Sequence, residues 1–147
     1  MKAANAVTKM RGFTLIEIMV VVVILSILAA AVVPRIMTRP DQARTARAQQ
    51  DIRALEAALD LYRLDNYRYP TTDEGLDALV KRPDGLTSGG NWKDGGYVKK
   101  LPKDPWGREY LYIQPGSSGE YDLYTFGADG VAGGEGINQD IGNWNLE

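Results

Sequence analysis

Hydrophobic positions along the first half of this chain change their pattern once, at a pair of prolines. From Phe13 to Val33 almost every residue is apolar, with Thr14, Glu17 and Ser26 the exceptions. At the helical rise such a stretch reaches ~30 Å, about one hydrocarbon core. From Asp41 the apolar residues become one-sided: Ile52, Leu55, Leu59 and Tyr62 recur at i, i+3, i+7 and i+10, a stripe of helical period. Pro34 and Pro40 stand between the two patterns, and a kink or local loosening is expected there. Asn66 and Pro70 end the second. The spacing predicts one long helix from Phe13 to about Asp65, apolar all round first and one-sided later, with any interruption at the prolines.

Beyond the helix the signals are shorter. Thr72 to Leu79 predicts one short helix with Thr72 as its N-cap. Glycine and proline from Pro83 to Gly107 predict a loop. Glu109–Ile113 and Glu120–Phe126 alternate at period 2 around Pro115-Gly-Ser-Ser-Gly119, the pattern of a hairpin. A glycine-rich tail follows Gly127. The expected class is α+β, a long N-terminal helix whose stripe is covered by a small antiparallel sheet.

Composition narrows the chemistry. Cysteine and histidine are both absent. Disulfides, thiolate nucleophiles, Ser–His and Cys–His pairs and the usual zinc sites therefore drop out. There is no G-x-x-x-x-G-K phosphate loop. A hard cation held by oxygen ligands remains open. Net charge is −2, unevenly placed: Lys2, Lys9 and Arg11 precede the apolar run without an acid, so the other 14 basic residues face all 19 acidic ones. An acidic body argues against nucleic acid as a partner.

Three readings compete for the N-terminus. A secretory signal peptide fits the basic start, and Ala29-Ala-Ala31 offers a cleavage site. The apolar run is too long for it, however, and Glu17 inside the run costs roughly 3 kcal/mol on insertion. A plain membrane anchor leaves Glu17 unexplained as well, save as a polar residue snorkelling from a helix end. Arginines 35, 39, 44 and 47 beyond the run prevent an orientation from being read off charge. The third reading accounts for the acid. Arg11-Gly-Phe-Thr-Leu-Ile-Glu17 resembles the type III signal of the type IV pilin superfamily. That resemblance implies cleavage between Gly12 and Phe13 by a prepilin peptidase, N-methylation of Phe13 and retention of the helix. Glu17 is then fifth from the new end, the family's assembly position. An ammonium and a carboxylate, each costly alone in an apolar setting, would pair between stacked subunits.

The head resembles the major pseudopilins of type II secretion. The resemblance lies in Leu61-Tyr-Arg-Leu-Asp-Asn66, Tyr69-Pro-Thr-Thr72, Glu74-Gly-Leu76, Leu101-Pro-Lys-Asp-Pro-Trp-Gly107, Gly127-Ala-Asp-Gly130 and Asp140-Ile-Gly-Asn-Trp144. It implies a cleaved leader over 1–12, a transmembrane and polymerisation helix over 13–34, and a periplasmic pilin-like head over 35–147. The implied function is structural, not enzymatic: a homopolymeric helical filament, the periplasmic pseudopilus, that drives export of folded proteins. Its implied partners are minor pseudopilins and an inner-membrane assembly platform. A type IV pilus major pilin is the alternative, disfavoured by the missing cysteines. A membrane-tethered binding module, or a hydrolase working with paired carboxylates, is the reading from another class.

Most remaining motifs have a packing reading. Trp106 in Pro102–Gly107 supplies an apolar plug stiffened by prolines. Arginines 35, 39, 44, 47 and 53 read as a solvated helix face before a docking site. Tyr110, Tyr112, Tyr121 and Tyr124 read as cross-strand packing. The glycine-rich tail is different. Asp129 and Asp140 bracket it with Glu135 between, and too little apolar bulk is present to order it. A calcium ion would accept those carboxylates and nearby carbonyls. The two aspartates and Gly134 mimic an EF-hand loop, but Val131 and Gly133 fall where ligands should be, so it is not one. The family resemblance implies Ca²⁺ here, with Asp129 and Asp140 as side-chain ligands and Phe126 and Val131 as carbonyl ligands. Some relatives have an acid where Gln139 stands, which leaves Glu135 or Asn138 to complete the set.

Overall fold

The computed structural model describes residues 12–86 and 91–146, with the side chains of 31–39 outside the description. The expected leader, apart from Gly12, lies outside the described residues. The chain divides into two compact units, residues 1–39 and 40–147. One helix, α1 (Leu15–Asn66), runs through 52 residues without a break at Pro34 or Pro40. A proline removes one backbone bond and strains the preceding turn, yet both prolines fall within the bounds of α1.

In the first unit the large apolar residues from Phe13 to Leu28 are all at least half exposed. Ser26, the polar exception mid-run, returns its hydroxyl to the Val22 carbonyl at 2.7 Å, so it presents no free donor. Among the described residues no helix is long and apolar enough to cross a membrane. Residues 31–34 of the expected span are among those whose side chains are not described.

In the second unit the helical stripe is the core. Ile52, Leu55, Leu59 and Tyr62 are fully buried, and Ala48 extends the stripe one turn back. Each large apolar side chain so buried contributes about 1.5–3 kcal/mol. The stripe packs with Tyr110, Tyr112, Tyr121, Leu123 and Ile141. Tyr112, Leu123 and Ile141 come from a three-stranded antiparallel sheet of order β1-β2-β3, with β1 Leu111–Ile113, β2 Asp122–Thr125 and β3 Ile141–Gly142, and Tyr110 and Tyr121 immediately precede β1 and β2. The register Tyr112↔Leu123 puts two inward residues opposite one another, while Leu111 and Ile113 face out. Trp106 is partly buried against the same core, as its plug reading required.

The differences from expectation are local. The hairpin strands are shorter than the alternation suggested. Glu109 leaves the ladder to bridge Lys103, and Asp122 turns its carboxylate to the Ser117 and Ser118 amides at 2.7 and 3.0 Å. β3 was hidden in the glycine-rich tail. The predicted helix over 72–79 is a set of turns followed by a 3-10 turn at Leu76–Leu79, whose N-cap position is Gly75. Thr72 caps nothing there. Its hydroxyl donates to the Gln114 carbonyl at 2.9 Å and accepts the Gln114 amide at 2.8 Å, tying this segment to the end of β1. Thr71 and Glu74 bond each other reciprocally instead, at 2.9 and 3.3 Å. Of the arginine face, Arg44 and Arg47 pair with Asp41 and Asp51 on the helix surface. Arg53 donates to the Leu146 carbonyl and so holds the C-terminal segment.

Candidate functional site

Three groups of residues carry the candidate chemistry. The first is at the start of α1. Gly12 and Phe13 are exposed and precede the first helical turn. Glu17 Oε2 accepts the Thr14 amide at 2.7 Å and the Thr14 hydroxyl at 2.9 Å, and the Glu17 amide approaches Thr14 Oγ1 at 3.4 Å. This is a capping box, in which a threonine and an acid three residues on satisfy two orphan amides. Glu17 thus has a partner on its own chain, one the sequence reading missed although the T-x-x-E spacing signals it.

The second group lies in the loop before β1. The Asp104 side chain has no exposed surface. Its Oδ1 accepts the Trp106 and Arg108 amides at 3.0 and 2.8 Å, and its Oδ2 accepts the Thr125 hydroxyl at 2.6 Å. Arg108 Nε lies 3.3 Å from Oδ2. Burial alone would raise the Asp104 pKa. The bonds from Thr125, Arg108 and Trp106, with the Arg108 charge, outweigh it and hold the carboxyl below its ordinary range. Neither Asp104 nor Arg108 stood out in the sequence, because nothing local marks a buried acid.

The third group is the glycine-rich loop, and it is more ordered by its own backbone than its composition suggested. Ala128 N–H donates to the Ile137 carbonyl at 3.0 Å, and Asp140 N–H to the Gly133 carbonyl at 3.1 Å. Gly127 and Gly134 have positive φ and back directly onto the Asn138–Gln139 backbone, where a Cβ would collide. Glycine is therefore required for closure. Asp129 is exposed and its Oδ1 accepts the Val131 amide at 3.1 Å. Asp140 Oδ2 accepts the Gly133 amide at 2.9 Å. Asp140 Oδ1 is buried with no hydrogen-bond partner. An orphaned, buried carboxylate oxygen is what a cation ligand looks like before its ion is added. Among the described residues no three carboxylates gather as a metal-ligand group. Glu135 is thus not brought together with both aspartates, and a complete site needs backbone carbonyls such as those of Phe126 and Val131. Asn138 lies beside Gly127 and Gly134 through its backbone.

Two family models match this chain. One, the prokaryotic N-terminal methylation motif, covers residues 8–33. The other, Type II secretion system (T2SS), protein G, covers residues 35–144. The chain belongs to the type II secretion protein G family. It is similar to the type II secretion system core protein G of Pseudomonas aeruginosa, 61% identical over 90% of this chain and 94% of that one. The core protein G of Vibrio cholerae is 55% identical over 95% and 94% of the two chains. The fold matches the crystal structure of the major pseudopilin from the type 2 secretion system of enterohaemorrhagic Escherichia coli. That match has a TM-score of 0.65 and 45% identity, covering 77% of this chain and 96% of the other. The protein G family is that of the major pseudopilins, so the type IV pilin alternative gives way.

Proposed function

We propose that this chain is the repeating subunit of a periplasmic pseudopilus that drives export of folded proteins, and that its work is structural. The observation that supports this best is the segment from Phe13 to Leu28, whose large apolar residues are all at least half exposed. Water is a poor solvent for such a surface. A bilayer and then the helices of neighbouring copies offer it burial without changing the helix. Residues 1–12 are the leader removed by a prepilin peptidase, 13–34 the single-pass inner-membrane span, and 35–147 the periplasmic head. Minor pseudopilins and the inner-membrane platform are the further partners of this reading. Glu17 can exchange its capping bonds with Thr14 for the ammonium of a neighbouring Phe13, which makes the acid an assembly determinant and not merely a tolerated charge.

The tail of the head is read as a Ca²⁺ site. Asp129 and Asp140 supply carboxylates, Phe126 and Val131 carbonyls, and Glu135 or Asn138 a further oxygen. The buried, unpaired Asp140 oxygen supports it. When bound, the ion would neutralise the two aspartates and tie the two ends of the loop together.

The experiment that tests the main reading is intact-mass and N-terminal analysis of protein extracted from membranes of cells carrying the matching secretion apparatus. The mature chain should begin at an N-methylated Phe13, and electron microscopy should find filaments. An N-terminus near Val32, after the three alanines, would overturn the proposal.

A further inference from the structure

Arg108 reaches from the Asp104 hub into the glycine-rich loop. Its Nη2 donates to the Gly127 carbonyl. Its Nη1 stands where a Cβ on Gly130 would be. Gly127 and Gly130 both have left-handed backbone, with φ of 66° and 72°, a conformation glycine adopts freely, so the Gly127–Gly130 turn can close on the guanidinium. The other side of Gly127 is closed: a Cβ there would come within 2.7 Å of the Gln139 carbonyl oxygen. The Gly127 peptide is therefore gripped from two directions, immediately after Phe126 and two residues before Asp129.

We propose that Arg108 is a positioning residue for the cation loop. Fixed by Asp104, its fork holds the Gly127–Gly130 turn so that the Phe126 and Val131 carbonyls and the Asp129 carboxylate are arranged before the ion arrives. This rests on the reading of the loop as a Ca²⁺ site. A guanidinium beside a divalent cation would ordinarily repel it. The Asp104 carboxylate, buried against Arg108, offsets that charge within a few ångströms. Arginine suits the task because its planar fork bonds two acceptors at once. Lysine carries the same charge as a point and cannot span both Asp104 and the Gly127 carbonyl. Trp106, its ring centroid 5.9 Å from the guanidinium carbon, flanks the same side chain, so the Pro102–Gly107 motif and the cation loop form one unit through Arg108.

The test uses the full chain in detergent, titrated calorimetrically with CaCl₂, with melting followed in Ca²⁺ and in EGTA. Arg108→Met keeps the apolar stem and removes the fork; Arg108→Lys keeps the charge and remains informative should the first variant fold poorly. Both should bind Ca²⁺ about 10–100-fold more weakly than wild type, the usual cost of losing a group that orients metal ligands. Their rise in melting temperature on adding Ca²⁺ should shrink, with a smaller change in EGTA. Unchanged affinity would overturn the proposal, whether melting is unaffected or lowered equally in both buffers; the latter would make Arg108 a structural residue only. A wild-type chain that binds no Ca²⁺ would overturn the cation reading itself, a result distinct from either.

Discussion

The two parts of α1 deal with apolar surface in different ways. From Phe13 to Leu28 the large apolar side chains are all at least half exposed. From Ala48 onward one face, including Ile52, Leu55, Leu59 and Tyr62, is sealed under the sheet. The opposite face carries Ala54, Ala57, Leu61 and Leu64, all exposed and again spaced i, i+3, i+7, i+10. The first part thus leaves its apolar surface open, while the second seals one face within the head and leaves another exposed. The acids follow the same division. Asp104 is satisfied by four donors from the loop and β2 inside the head, whereas among the described residues Glu17 is satisfied by its neighbour Thr14, a local arrangement.

The sharpest way to break this comparison is at Glu17. Glu17→Leu should abolish filaments seen by electron microscopy while the head melts normally, since an unpaired charge in an apolar stack costs about 3–5 kcal/mol. Glu17→Gln separates the two roles of the acid, because glutamine also completes a capping box. It should restore the helix start and still fail to assemble; normal filaments from Glu17→Gln would reduce the acid to a cap.

A second pair of substitutions compares the two faces of the later helix. Leu59→Ala, in the sealed face, should cost about 2–5 kcal/mol in thermal or urea unfolding. Leu64→Ala, five residues on and exposed, should change stability by no more than ~0.5 kcal/mol yet lower filament yield. Equal effects on melting would show that the outer face is not a spare surface.

A smaller loss than that at Leu59 belongs to the loop. If its Ca²⁺ dissociation constant is ~0.1 mM, as in extracellular modules, then ~1 mM Ca²⁺ adds about 1.4 kcal/mol by mass action. Asp140→Ala should remove that increment, read as the difference in melting between Ca²⁺ and EGTA, and Mg²⁺ should substitute poorly. An identical difference in wild type and variant would acquit Asp140 of ligand duty.

Much of this was legible in the residues. Period and length marked the helix and its buried stripe, because helical spacing exposes which side must find a core. Alternation marked the hairpin, though not its ends: β2 begins at Asp122, whose carboxylate holds two turn amides, and Glu109 bridges Lys103 outside β1. Thr72 was misread as a cap because its true partner, Gln114, is 42 residues away. β3 was illegible, since two residues pair with β2 only once the loop has brought them back.

By itself the sequence determined the membrane-length apolar run, the lone acid near its start, the one-sided helix and the absence of histidine and cysteine chemistry. These follow from local order along the chain, through helical period, charge and spacing. Only the tertiary structure decided that Asp104 is buried, that Arg108 reaches Gly127, and that one oxygen of Asp140 is left without a donor. Each depends on segments distant in sequence meeting at hydrogen-bond range, and no local pattern encodes which carbonyl a side chain will find.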